Sequence, residues 1–126
     1  MQILKTRWFS RFARREGITD NSLREAIERA ERGLVNADLG GGLIKQRVAR
    51  QGQGRSGGYR VIIAYRAASK AFFLHGFAKN DQENIGEDEL IALRKFGRRL
   101  LTADVETLKA MFEDGSLKEV DDDKEE

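Results

Sequence analysis

The sequence predicts an α+β domain: a small antiparallel sheet, made of a meander plus a short N-terminal edge strand, packed against two N-terminal helices and followed by C-terminal helices. Three observations carry this. The apolar period is helical ahead of Gly40-Gly41-Gly42 and shifts toward two beyond it. Two β-rich runs, Tyr59 to Tyr65 and Lys70 to Ala78, follow each other with only a turn between them. Helical spacing returns after three consecutive acids at 87–89. The length of 126 residues suits one domain, with the helices expected on one side of the sheet.

The elements follow in order. Met1 to Thr6 reads as the edge strand. Arg7 to Glu16 is a helix with Trp8 and Phe12 on one face, stopped by Gly17. Asp20 or Ser22 caps the next helix, on which Leu23, Ala26, Ile27, Ala30 and Leu34 recur at helical spacing. Leu43 to Ala49 is a strand, so Lys45 and Arg47 point one way while Ile44 and Val48 point the other. The segment 52–58, with four glycines among its seven residues, connects it to the strand from Tyr59, and a turn around Ala67 to Ser69 joins the last two strands. Glu87, Asp88 and Glu89 suit a helix N-terminus, where the macrodipole favours acids; Leu90, Leu93, Gly97 and Leu100 continue one face of that helix. Val105, Leu108, Met111 and Phe112 outline a final short helix.

Composition excludes several classes of function. Without cysteine there is no disulfide or thiolate metal site, and one histidine cannot make an imidazole cluster, so no metal and no cofactor are expected. No apolar window is long enough to span a bilayer and no signal peptide is evident; a cytoplasmic location without membrane contact is the expectation. Charge is unevenly spread. Residues 1–100 hold 20 Lys and Arg against 11 Asp and Glu, whereas residues 101–126 hold 3 against 10. The expected organisation is a domain over 1–115 with an acidic, disordered tail over 116–126.

The most informative segment is the 42 residues from Leu39 to Asn80, which contain eight Lys or Arg and no acid. Charge runs are commonly solvated surface. Eight cations over three neighbouring strands, however, repel one another unless a polyanion binds, which points to RNA. The glycine-rich connector matches no nucleotide-binding loop, because it lacks the Lys-Ser/Thr ending and the strand-to-helix context.

Four stretches also resemble the RelE/HigB toxins of bacterial type II toxin–antitoxin modules: Leu43-Ile44-Lys45-Gln46-Arg47-Val48-Ala49, Gly54-Arg55-Ser56-Gly57-Gly58-Tyr59-Arg60-Val61-Ile62, Phe77-Ala78-Lys79-Asn80 and Glu89-Leu90-Ile91-Ala92-Leu93-Arg94-Lys95. The resemblance covers roughly residues 3–115. It implies a microbial-RNase-like fold and an endoribonuclease that cuts messenger RNA, generally on the ribosome. It also implies silencing by a co-encoded antitoxin, expected to be a helix-turn-helix repressor. Carried over residue by residue, the family's strand cations fall on Lys45 and Arg47, and its arginine at the start of the following strand on Arg60. Where well-known members place an arginine and then a tyrosine, this chain reads Lys79-Asn80 with no tyrosine following, which leaves the general acid unassigned and moves the second phosphate contact to Lys79.

The chemistry fits such a set. Attack by a 2′-hydroxyl needs a proton accepted, charge on the phosphorane stabilised and a proton returned to the leaving 5′-oxygen. Arginine does only the second, while a lysine crowded by like charges can also act as a base. Lys45 is therefore assigned substrate activation or proton transfer, Arg47 and Arg60 the developing charge, and Lys79 the scissile phosphate or leaving group. Arg50, Arg55, Arg66 and Lys70 are assigned RNA or ribosome docking, and Tyr59 base stacking. His75, among aromatics, reads first as packing and is a secondary candidate; strand parity groups it with Phe73, Phe77 and Lys79. Trp8, Phe9 and Phe12 read as core. Two rival classes are kept: a ParE-like, non-nucleolytic gyrase poison, which shares the fold the resemblance implies but lacks the Lys45, Arg47 and Arg60 set, and a non-toxic nucleic-acid-binding regulator, for which the basic sheet alone would suffice.

Overall fold

A computed structural model describes residues 1–49, 58–79 and 85–120. Its strands are β1 (Gln2–Thr6), β2 (Ala37–Gly40), β3 (Leu43–Val48), β4 (Tyr59–Arg66), β5 (Lys70–Ala78) and β6 (Leu117–Glu119); its helices are α1 (Arg7–Glu16), α2 (Asp20–Glu31), α3 (Glu87–Thr102) and α4 (Val105–Glu113). The α+β class holds. The strands form one sheet in the order β2-β3-β4-β5-β1-β6, antiparallel except where β1 runs parallel to β5.

Two expectations about this sheet are corrected. The N-terminal strand is not an edge, because β6 pairs along its outer side. Leu117 and Val120 are buried there, so residues 116–120, assigned by charge to the tail, belong to the fold; two apolar residues among many acids were the only signal. The helices also cover both faces rather than one. Ile44, Val48, Val61, Ile63 and Phe73 pack with α1 and α2, whereas Leu43, Ile62, Ala64, Phe72 and Leu74 pack with α3 and α4. The reason is legible in β4, buried continuously from Tyr59 to Ala64. Such a run lacks the alternation of a half-solvated strand and marks one covered on both sides.

Local chemistry fixes the helices. Thr6 caps α1 by accepting from the Phe9 N–H, and Gly17, at φ 73°, takes the left-handed conformation that ends it. The cap of α2 is Thr19, whose hydroxyl accepts from the Ser22 N–H, rather than Asp20 or Ser22. That helix stops at Glu31: Gly33 adopts φ 83° and Leu34, expected on the apolar face, stands 56% exposed. In α3, a Cβ on Gly97 would lie 2.8 Å from the Leu43 side chain, so the missing side chain lets α3 settle directly on β3 and β4.

One irregularity positions the site. The register between β4 and β5 shifts between Ile62 and Ile63, which pair with His75 and Phe73. Leu74 is thus an extra residue, a bulge that reverses the facing of everything after it.

Candidate functional site

Three of the sequence-predicted residues meet on the α3 side of the sheet. Arg47 lies directly opposite Arg60 across β3 and β4, and Lys45 lies opposite Ile62 on the same face. Arg60 in turn faces Phe77 of β5. Their exposures differ: Arg60 is only 7% exposed, Lys45 half-buried and Arg47 exposed. Burial, and secondarily the Arg47 charge, pull the Arg60 guanidinium below its ordinary pKa. Lys79 follows the end of β5, exposed, and its N–H donates to the Gly58 carbonyl beside the start of β4. Lys79 therefore sits at the same end of the β4–β5 pair as Arg60.

The basic stretch is not one patch. Arg66 and Lys70 pair with each other at the opposite end of the β4–β5 hairpin, about 20 Å from Arg60 at the usual rise per strand residue. They do not join the site. Tyr59, assigned to base stacking, is 3% exposed, packs in the α1–α2 core and donates its hydroxyl to Glu16. That assignment is corrected: odd and even positions of β4 are both buried, and Tyr59 falls on the far face from Lys45. Arg50 and Arg55 lie outside the described residues, as does Asn80.

The bulge also corrects the facing of His75. Parity grouped it with Phe73, but the extra residue turns Phe73 toward α1 and α2 while His75 pairs with Ile62 on the Lys45 side. Trp8 stacks on the imidazole at a centroid distance of 4.7 Å, and Nε2 lies 3.5 Å from a Glu89 carboxylate oxygen in the first turn of α3. Burial lowers the His75 pKa below 6.5, with Glu89 opposing. Sequence reasoning missed both neighbours: Glu89 was explained by the helix dipole alone, and Trp8, read as core, is 45% exposed. Together they line a pocket of about 600 Å³ that runs between α1, α3 and α4, with Leu93, Phe96 and Met111 as its apolar wall.

What this arrangement can do is hold phosphate: a buried arginine, an exposed arginine and a half-buried lysine share one face with no acid of β3 or β4 among them. The sequence profile of the RelE toxin of the RelE / RelB toxin–antitoxin system matches residues 1–120. The chain belongs to the RelE toxin family. No curated protein matches it as a relative. As a RelE-family toxin it is the toxic member of a toxin–antitoxin pair, and its family implies an antitoxin partner. The α+β fold agrees with that membership, and among the described residues no helix is long and apolar enough to cross a membrane.

Proposed function

We propose that this RelE-family toxin is an endoribonuclease that cuts messenger RNA on the ribosome and so stops translation. The observation that carries the reading is the opposed pair Arg47 and Arg60 beside Lys45. Like charges directly across a sheet oppose folding, and an arginine pair on one face suits the two equatorial oxygens of a phosphorane.

In the proposed reaction, Lys45 activates the 2′-hydroxyl, which attacks the adjacent phosphorus. Arg47 and Arg60 bear the charge that develops on the phosphorane oxygens. Lys79 contacts the scissile phosphate or the departing 5′-oxygen. The bond to that oxygen breaks as the 2′-oxygen bonds to phosphorus, and the 5′-oxygen takes a proton from solvent, giving a 2′,3′-cyclic phosphate and a free 5′-hydroxyl; no step requires a metal or a cofactor. His75 remains the secondary participant. Its lowered pKa leaves it neutral at pH 7, which suits accepting a proton better than donating one. Arg50 and Arg55 are retained as docking charges for RNA or ribosome, and Arg66 with Lys70 as a separate docking point at the far hairpin end. The antitoxin, proposed as a helix-turn-helix repressor, silences the toxin by covering the cationic face or by blocking access to the ribosome.

The test is to map cut sites in cellular RNA after brief induction of wild-type, Lys45→Ala and Arg60→Ala chains. Loss of cutting in both variants, with the fold kept, is the expected result. Equal cleavage of ribosome-bound message by either variant, or growth unaffected by wild type, sinks the proposal.

A further inference from the structure

Beyond the end of β2, among the described residues, the outer edge of β3 is met by a side chain rather than by a strand. The β2–β3 ladder runs only from Gly40 opposite Leu43 to Ala37 opposite Lys45. Past it, Arg29 of α2 reaches the edge and donates from Nη2 to the Arg47 carbonyl at 2.6 Å. One arginine thus grips the backbone of another, from a helix that lies on the opposite face of the sheet. Beside the pair opens a pocket of about 430 Å³ whose lining includes Leu34, Val35, Asn36 and Gln46.

The pocket has a fixed wall. Gln46 is 1% exposed; its Oε1 accepts from the Asn36 N–H at 2.9 Å, while Nε2 donates to the Ala26 and Leu34 carbonyls at 2.9 and 3.1 Å. Those three bonds clamp the segment after α2 against β3, and so hold Leu34 and Asn36 outward although both lie outside any regular element. Leu34, an apolar side chain in the same pocket lining as Arg29, is 56% exposed and has no role in the core.

We infer that this pocket binds a nucleotide of the RNA strand adjacent to the scissile one, with its phosphate on the Arg29 guanidinium and its base against Leu34 and Asn36. The inference rests on the ribonuclease reading above and extends it to a residue outside the basic stretch. A guanidinium reads phosphate through forked donors, an apolar side chain accepts a base face, and an exposed amide can bond a base edge. Among the described residues no acid lines the pocket, and its volume falls within the range of small-ligand sites. Because the Arg47 backbone borders this pocket while its side chain belongs to the cationic face, a strand lying across the β3 edge would place consecutive phosphates at Arg29 and at Arg47.

The experiment titrates the full chain with a four-nucleotide RNA carrying 2′-O-methyl groups throughout, which has no attacking hydroxyl, and follows it by NMR so that even millimolar binding is read. The expected result is a shift of the Asn36 side-chain amide and the Arg29 Nε–H, with affinity at least 10-fold weaker in Leu34→Glu. This substitution adds charge at an exposed position and tests the pocket without touching the Arg29 anchor. Arg29→Ala is expected to weaken binding similarly and to reduce the slope of log affinity against log salt by about 1. Shifts confined to Lys45, Arg47 and Arg60, with unchanged affinity in Leu34→Glu, overturn the pocket and leave the ribonuclease reading standing. No shift anywhere overturns both. A pocket perturbed by the antitoxin and not by the oligonucleotide overturns the inference in favour of a protein partner.

Discussion

Arg47 and Arg60 face each other directly across β3 and β4, one exposed and the other 7% exposed. Cross-strand like charges are destabilising, on the order of 0.2–1 kcal/mol for directly opposed pairs. The pair is therefore expected to cost stability in the free toxin and to recover it when an anion binds. Arg47→Ala should leave the fold as stable as wild type or up to about 1 kcal/mol more stable, while lowering RNA cleavage by on the order of 100-fold, a typical cost for a lost oxyanion contact. Thermal unfolding with and without phosphate checks the idea: phosphate should raise the midpoint of wild type more than that of the variant. A destabilised Arg47→Ala chain with full cleavage would contradict it.

His75 gives a pH signature that can be read without interference, since the chain has one histidine and one tryptophan. Its folded pKa lies below 6.5, the unfolded value. Between those two values the unfolded chain binds more protons than the native one, so this group's contribution is fully present above pH 6.5 and is lost as pH falls through the folded pKa. The His75 ring-proton resonance should titrate below pH 6.5, and Trp8 emission should follow it because the rings stack at 4.7 Å. Glu89→Gln removes the opposing attraction and should move the titration lower still. A midpoint above 6.5, or one that Glu89→Gln leaves in place, refutes the assigned environment.

At Gly97, helix propensity and packing pull in opposite directions. Gly→Ala in a helix interior gains about 1 kcal/mol. Yet the new Cβ would stand 2.8 Å from Leu43 Cδ2 and 3.2 Å from Ala64 Cβ, both in the sheet. Overpacking of this kind typically costs about 1–3 kcal/mol. Gly97→Ala is expected to be destabilising by roughly 1 kcal/mol net and to lift α3 from the sheet, measured as a lower urea midpoint. A gain in stability would mean that α3 does not lie as close to β3 and β4 as described.

These contacts also show which parts of the molecule were legible in the sequence. α1 and β5 begin and end where their patterns predicted, because Gly17 and the turn at Ala68 act locally. The facing of Lys45 and Arg47 was legible too, since β3 alternates cleanly. The facing of His75 was not: a bulge is a pairing event between two strands, and nothing in Phe72-Phe73-Leu74-His75 marks which residue goes unpaired. β2 and β6 were missed for a related reason. Ala37–Gly40 and Leu117–Glu119 carry little β propensity and become strands only because a partner offers free backbone groups. The role of Tyr59 was misread because aromatic residues in a strand look alike whether they stack on a base or on Phe12, which Tyr59 meets edge-on at 5.9 Å.

Gln46 is the polar residue on which the β3 edge depends. It is buried on the α2 side of a strand whose other face carries Lys45 and Arg47, and it satisfies one N–H and two carbonyls from α2 and the segment behind it. Gln46→Leu keeps much of the volume but strands the Asn36 N–H and the Leu34 carbonyl, each worth about 1–3 kcal/mol if left unpaired in the interior, and removes the second donor from the Ala26 carbonyl, which α2 still pairs. Some of that loss is recovered by water, because Leu34 and Asn36 are near the surface. The expected cost is therefore about 2–4 kcal/mol by denaturant unfolding, nearer to that of a large core truncation than to that of a surface change. Gln46→Glu separates bonding from shape: its carboxylate can still accept from the Asn36 N–H but faces two carbonyls where Nε2 donated. It should be at least as destabilising above pH 7 and should recover part of the loss when acid protonates the new carboxyl. If Gln46→Leu unfolds at the wild-type midpoint, the clamp on the β3 edge contributes nothing, and Leu34 and Asn36 are held in place by something other than Gln46.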